Sequence, residues 1–479
     1  MLLCREAVYR PVSNRRPRRR VAMVLLVCGF ALGCAKSNES PRPNILLISI
    51  DTLRADHLAA YGYERRTSPQ IDRYFADAEV FERAYTPATY TSASVVSMLT
   101  GLYPRSHGIL DFYRKLSPQV ATLPELLRAS GYESAGVVSN AVLSDDSLGI
   151  AARFDYYDDF VGEKESKRKS YERRASRTTD AALRWLVADR DEARPHLLWV
   201  HYIDPHAPYA PPEDFEAIGF EHPGEKPIEG GIGNTYQYLP GVTDELAYID
   251  RYDEEIAYVD QEIGRLLDSY DKAGLLEGAI VILTSDHGET FFEHRPYMEH
   301  SLNLFHEVLH IPLIVRWPDA QARRTSAPVS LIDLVPSLLA ELEIAVPENV
   351  QGVPWKQRSD GDVLLQEVWM GSRLPNTFAP RYSAIYRDQK WNFKIDSEQR
   401  VHGIARFDLP EDALEKNPIS WKQLEGDVKR PLLGAIKGAL FQHPLAPEGE
   451  EGERILAPKV APPLEDHQRD ALRALGYLE

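Results

Sequence analysis

The sequence predicts an α/β fold: a doubly wound, mostly parallel sheet followed by a smaller C-terminal antiparallel sheet-plus-helix domain. Three observations predict it. Residues 44–50, 196–203 and 278–285 are near-continuous apolar runs of strand length, the pattern of strands buried on both faces. Segments of helical period alternate with those runs, as a strand–helix–strand architecture requires. Beyond about Gly352 the runs give way to short alternating segments, which read as an antiparallel sheet.

Taken in order, the chain opens with a segment that belongs to neither domain. Residues 1–33 read as an export signal, because Arg15, Arg16, Arg18, Arg19 and Arg20 precede an apolar stretch from Val21 to Gly33 that is too short to span a bilayer. Ala31-Leu32-Gly33-Cys34 resembles a bacterial lipobox, which implies cleavage before Cys34, lipidation of its thiol and anchoring in the cell envelope. Plain signal cleavage nearby and an uncleaved anchor are the alternatives. Residues 34–43 are polar and Pro-containing, suited to a tether. The large domain is expected over 44–350 and the small subdomain and tail over 351–479, since 479 residues exceed one ordinary core.

Helices are expected at 122–131, with Pro124 near its start and Gly131 at its end, at 179–188, at 245–273 and at 331–342. In 245–273, Leu246, Ile249, Ile256, Val259, Ile263 and Leu267 recur at helical spacing, and the interleaved Asp and Glu read as the solvated face. Short strands are expected at 137–140 and 311–315. Residues 163–177 and 221–243 read as surface loops, where substrate specificity is expected to lie. In the C-terminal part, 363–365, 382–386 and 390–395 read as strands, 421–440 as a helix and 444–464 as a Pro- and Glu-rich tail.

Charge and cysteine content narrow the function. The formal net charge is −17, and residues 1–33 hold seven Arg and one Glu, so the remainder is near −23. Such a surface repels nucleic acid, and an anionic substrate would need a local positive site, which a metal supplies economically. Only Cys4, Cys28 and Cys34 occur, so no disulfide and no internal cysteine nucleophile survives cleavage.

The three buried runs each end in an acid with histidine nearby: Asp51 with His57, Asp204 with His206, and Asp286 with His287. Ligands of open α/β sheets bind at the carboxyl ends of the strands, so these clusters can converge. Asp51, Asp286 and His287 offer hard oxygens and an imidazole to one divalent cation. The stretch 89–108 is rich in hydroxyls ahead of an apolar run. A hydroxyl at a helix start is either a simple cap or a nucleophile favoured by free N–H groups and the helix dipole. A metal beside it would lower its pKa and polarise a phosphoryl or sulfuryl oxygen. Of His294, His300, His306 and His310, at most two are expected to face the site.

Together the stretches 44–56, Leu99-Thr100-Gly101-Leu102-Tyr103-Pro104 with His107-Gly108, Asp204-Pro205-His206-Ala207-Pro208-Tyr209 and Ser285-Asp286-His287-Gly288-Glu289 resemble the sulfatase family of the alkaline phosphatase superfamily. The resemblance runs over about residues 43–400. It places the nucleophile eight residues before Leu99, on Thr91. The usual family residue there is Cys or Ser converted to formylglycine, with Pro two and Arg four residues on; here those positions are Thr91, Ala93 and Val95. The methyl on a threonine Cβ precludes an aldehyde, so no formylglycine is expected. Thr52 stands where a second Asp is usual, and no Gly-Lys-Trp-His-like segment occurs near 131–142.

The pattern is similar to the superfamily's Thr-nucleophile branch, which acts on phosphate mono- and diesters. Carried over, the resemblance implies that Asp51, Thr91, Asp286 and His287 bind one divalent metal (Mn, Zn, Mg or Ca). His206 and His300 would contact the substrate's anionic oxygens or a second metal, with His201, His294 and Asp204 as weaker candidates. A sulfate-ester hydrolase without formylglycine and a non-catalytic binding protein on the same fold are the alternatives.

Overall fold

The computed structural model describes residues 12–13, 42–423, 433, 434 and 436, except 113, 162–171, 231, 233–236, 296, 320, 370–379 and 397–399. The signal segment apart from residues 12–13, Cys34, nearly all of the tether, most of the 163–177 loop, the greater part of the 421–440 helix and the 444–464 tail lie outside the described residues.

A nine-stranded sheet forms the centre, in the order Val12–Ser13, Tyr156–Asp158, Glu133–Val138, His196–Tyr202, Ile45–Ile50, Ile280–Ser285, Leu313–Arg316, Glu79–Phe81 and Arg323–Thr325. The five from Tyr156–Asp158 to Ile280–Ser285 run parallel, whereas Leu313–Arg316 is antiparallel to both of its neighbours. The three apolar runs are thus adjacent central strands. Their side chains alternate between two cores, Ile45 and Leu47 facing one and Leu46, Ile48 and Ile50 the other. Val95, Val96, Met98 and Leu99 of the helix Thr91–Thr100 pack into the first core. Ile256, Val259, Ile263 and Leu267 of the helix Glu245–Lys272 pack into the second. Helices on both faces explain why the strands read as continuous rather than alternating.

Several elements begin or end differently from expectation. The 137–140 strand is Glu133–Val138 and stops before Asn140. The 122–131 helix is Leu123–Ala129, closed by a capping box between Thr122 and Glu125. The 179–188 helix is Ala175–Arg184 followed by a π-turn at Trp185–Asp189. The 331–342 helix is a 3₁₀ turn, Leu331–Asp333, leading into Leu334–Glu341. A five-stranded antiparallel sheet holds the expected C-terminal strands as Val363–Val368, Arg381–Tyr386 and Gln389–Ile395 and adds Val401–Asp408 and Ile419–Ser420. Among the described residues, no helix is long and apolar enough to cross a membrane.

Most acidic residues of Glu245–Lys272 are not on a solvated face, although Asp268 and Asp271 near its end do meet solvent. Asp253, Glu254, Glu255, Asp260 and Glu262 are all buried. Asp253 accepts from Tyr63 (2.6 Å) and Arg65 (2.8 Å) and meets His57 Nδ1 at 2.7 Å. Glu254 accepts from the backbone of Ile218, Gly219 and Phe220, and Glu255 from that of Ala210. Asp260 accepts from the Gln70 and Ile71 amides, satisfying orphan donors at the start of Pro69–Tyr74. The helix thereby holds loops flanking the carboxyl edge of the sheet.

Two histidines far from that edge set an acid limit on stability. Burial lowers His107 and His196 to about 3, and both are neutral in the fold. The unfolded chain binds protons near pH 6.5 that the folded chain refuses until about pH 3. Their contribution to stability is therefore whole above pH 6.5 and falls by up to ~1.4 kcal/mol per histidine for each unit below it, while the buried carboxyls of Asp260, Glu289 and Glu307, raised to about 7, 8 and 8, act in the opposite sense. Thermal melts at pH 7.5 and 5.5 are expected to show that acidification costs His107→Gln less than it costs wild type; an equal change in Tm would contradict this.

Candidate active site

Pairing register builds the site. Ile50 lies opposite Tyr202 on one side and Ser285 on the other, so Asp51 and Asp286 leave the sheet at the same level. The Asp51 amide donates to the Tyr202 carbonyl (2.8 Å), and the Ser285 hydroxyl donates to the Ile50 carbonyl (2.7 Å). Thr52 then takes φ +55°, strained for a β-branched residue, with its amide 3.3 Å from Asp286 Oδ1 and its carbonyl accepting from Tyr252.

Asp51, His201 and Asp286 are buried, and one ligand atom from each lies within 4.8 Å of the others. Asp51 Oδ1, His201 Nε2 and Asp286 Oδ2 lack a hydrogen-bond partner. Orphaned buried oxygens and an imidazole nitrogen facing one point fit a divalent cation. His287 adds a fourth donor. Its Nδ1 donates to the Gly288 carbonyl (3.0 Å), so the Nε2 lone pair faces Asp286 Oδ2 at 3.4 Å and Asp51 Oδ1 at 3.9 Å. Burial would raise the Asp51 carboxyl, but the His201 side chain beside it holds it well below the usual range. Burial and the neighbouring Asp51 raise that of Asp286. Carboxylates pushed apart at one site mark a charge centre rather than a packing core.

Thr91 opens its helix directly beside this group. Its Oγ1 is 3.4 Å from both Asp51 Oδ2 and His287 Nε2. Tyr90 supplies no side-chain cap, so the first-turn amides keep their polarity toward the site. Three other hydroxyls of the stretch have structural partners: Ser94 donates to the Asp286 carbonyl (2.6 Å), Ser97 meets His107 (2.9 Å) and Thr100 bonds Val96 (2.6 Å), whereas the buried Ser92 Oγ has none among the described residues. Thr91 Oγ1 is the hydroxyl that approaches both Asp51 and His287.

His206 and His300 also meet here. Their rings are 5.4 Å apart, and His300 stacks on His287 at 4.6 Å. Burial lowers both, His300 to about 3, and Glu289 holds His300 Nδ1 at 3.2 Å. Two weaker candidates face elsewhere. Asp204 pairs with Arg174 (3.1 Å) and accepts from the Ala175 amide (2.8 Å), so it fixes a helix start. His294 stacks on Phe305 at 3.6 Å beside Glu307. His306 stacks on His310, whose Nε2 faces the Glu82 carbonyl.

His201, by contrast, stands in the ligand group itself, and Asn140 and Glu289 join the site unannounced. His201 is legible in hindsight from strand alternation, one residue before the end of its run. Asn140 carries no motif beyond following a buried strand.

A hydroxyl at a helix start, two strand-end carboxylates and converging imidazoles form a site that could hold a divalent cation, on the α/β fold of a sulfatase-type hydrolase. The sulfatase family model matches residues 43–344, and the chain belongs to that family. It is 24% identical over 403 residues to the N-acetylglucosamine-6-O-sulfatase of Bacteroides thetaiotaomicron, covering 67% of this chain and 71% of that protein. It is 26% identical over 359 residues to human iduronate 2-sulfatase, covering 63% and 65%. Among solved structures, a protein bound to its substrate D-glucosamine-2-N,6-O-disulfate superposes with TM-score 0.67 at 19% identity, covering 84% of this chain and 98% of that one. The phosphonate monoester hydrolase of Agrobacterium radiobacter superposes with TM-score 0.62 at 19% identity, covering 84% and 96%.

Proposed function

We propose that this sulfatase-family hydrolase cleaves or transfers a phosphate mono- or diester with Thr91 as the nucleophile, from the cell envelope and tethered through Cys34. The observation that carries the reading is the placement of Thr91 Oγ1 at 3.4 Å from Asp51 and His287, on a side chain that cannot become an aldehyde. Asp51, Thr91, Asp286 and His287, with His201, would hold the divalent cation. When bound, it supplies Lewis-acid polarisation of the transferring group and lowers the pKa of the Thr91 hydroxyl.

The residues divide the remaining work. Thr91 Oγ loses its proton and forms a bond to phosphorus as the ester P–O bond breaks, and the departing alkoxide takes up one proton through solvent, so that the Thr91 hydroxyl proton balances the alcohol released. Water, or an acceptor hydroxyl, then attacks the phosphothreonine and restores Thr91. His206 and His300 contact the oxygens of the transferring group. Burial lowers both, His300 to about 3, so His300 meets the anion as a neutral imidazole, whereas His206, whose Nδ1 donates to the Ala207 carbonyl, donates from Nε2 only in its protonated form.

A second reading, hydrolysis of a sulfate ester without formylglycine, is favoured by the relatives: one is named for a glucosamine 6-O-sulfate and one for a 2-sulfate. Purified protein assayed on p-nitrophenyl phosphate, bis-p-nitrophenyl phosphate and p-nitrophenyl sulfate separates the two. Phosphoester turnover that disappears with EDTA and returns with a divalent cation is expected. Sulfate turnover that survives Thr91→Ala would overturn the mechanism.

A further inference from the structure

We infer that Asn140 is a positioning residue for the cation, turning the Asp51 carboxylate so that one oxygen is left for the metal. This rests on the reading of Asp51 as a metal ligand. Asn140 is fully buried just past the strand Glu133–Val138. Its amide orientation is fixed by chemistry. The Val142 amide donates to Asn140 Oδ1 (3.1 Å), so Nδ2 is the end that faces Asp51, donating to Oδ2 at 2.7 Å.

That bond is the short one at Asp51. Oδ2 also faces Thr91 Oγ1 at 3.4 Å and His201 Nε2 at 3.5 Å, whereas Oδ1 has no hydrogen-bond partner. Asn140 thus occupies one carboxylate oxygen and leaves the other to the cation, as outer-sphere partners of metal ligands do. The backbone around it is clamped. Ser139 donates to the His201 carbonyl (2.6 Å) and its own carbonyl accepts from the Arg173 amide (3.0 Å), while Asn140 bridges Glu172. A rigid donor on a clamped strand end is what orientation of a ligand needs.

The bland alternative is that Asn140 only caps the 3₁₀ turn Ala141–Leu143. Asn140→Ser tests it, because a serine hydroxyl keeps the cap on Val142 yet cannot reach Asp51. Calorimetric titration of Mn²⁺ into metal-free wild type and Asn140→Ser reads affinity without turnover. A dissociation constant weakened ~10- to 100-fold, at a metal-free Tm close to wild type, is expected. Wild-type affinity in Asn140→Ser overturns the assignment. Wild-type protein that binds no Mn²⁺ overturns the metal reading beneath it. Should Asn140→Ser fold poorly, Asn140→Thr, whose hydroxyl also keeps the cap and cannot reach Asp51, replaces it. The Asp51 carboxylate should then bind Mn²⁺ less tightly at pH 8, and equal affinity overturns the proposal.

Discussion

Thr91→Ala is expected to lower kcat for phosphoester cleavage by a factor on the order of 10⁴ or more, the scale seen when a covalent nucleophile is removed. Its fold should survive. The side chain is buried, but the helix that it opens is held by Ser94 on the Asp286 carbonyl and by the core residues Val95, Val96, Met98 and Leu99. Thr91→Ser keeps the hydroxyl and is expected to stay active within about tenfold, because only the buried methyl is lost. The two variants part nucleophilic chemistry from packing. Rapid quench of a phosphomonoester substrate followed by intact-mass analysis should show phosphate on wild type and none on Thr91→Ala. Thr91→Ala turnover within tenfold of wild type, or a stable oxidative modification at Thr91, would remove threonine from the mechanism.

Much of this site is legible in the sequence because strand ends and apolar runs are local signals. Asp51 and Asp286 close two buried runs, and the parallel register that brings Ile50 beside Ser285 converts that pattern into a shared position. Thr91 is singled out only by the family resemblance, which counts back from Leu99-Thr100-Gly101. What stays hidden depends on partners far away in the chain. Periodicity identified the apolar side of Glu245–Lys272 but said nothing of what its acids meet: loop amides at 210 and 218–220, the start of another helix at 70–71, and the side chains of Tyr63 and Arg65. Polar residues on a helix look alike whether they meet water or a loop. Asn140 is hidden for the same reason, since a single amide acquires its role only when Asp51, 89 residues earlier, turns toward it.

Gly288→Ala is expected to be the most damaging single methyl that can be added near the site. Gly288 follows His287, and its amide donates to the Val308 carbonyl (2.8 Å) where the segment from 306 to 309 crosses the strand end. A Cβ at 288 would meet the Glu307 backbone carbonyl oxygen far inside the 3.0 Å that such atoms tolerate. The obstacle is main chain rather than the tip of a flexible side chain, so relief requires one segment to move. Glu307, Val308 and Leu309 are buried and cannot retreat into solvent. Overpacking of this kind typically costs ~1–3 kcal/mol, and a backbone clash lies at the upper end or beyond. Displacement of residue 288 also carries His287, whose Nδ1 is tied to the Gly288 carbonyl, away from Thr91 and Asp51. The expected result is a Tm drop of several degrees together with Mn²⁺ affinity weakened more than tenfold. The tethering of His287 makes the two losses inseparable: Gly288→Ala should not recover cation affinity when it is stabilised by osmolyte or assayed at low temperature. A variant that melts early, shows a displaced His287 ring signal and still binds Mn²⁺ as tightly as wild type would take His287 out of the ligand set.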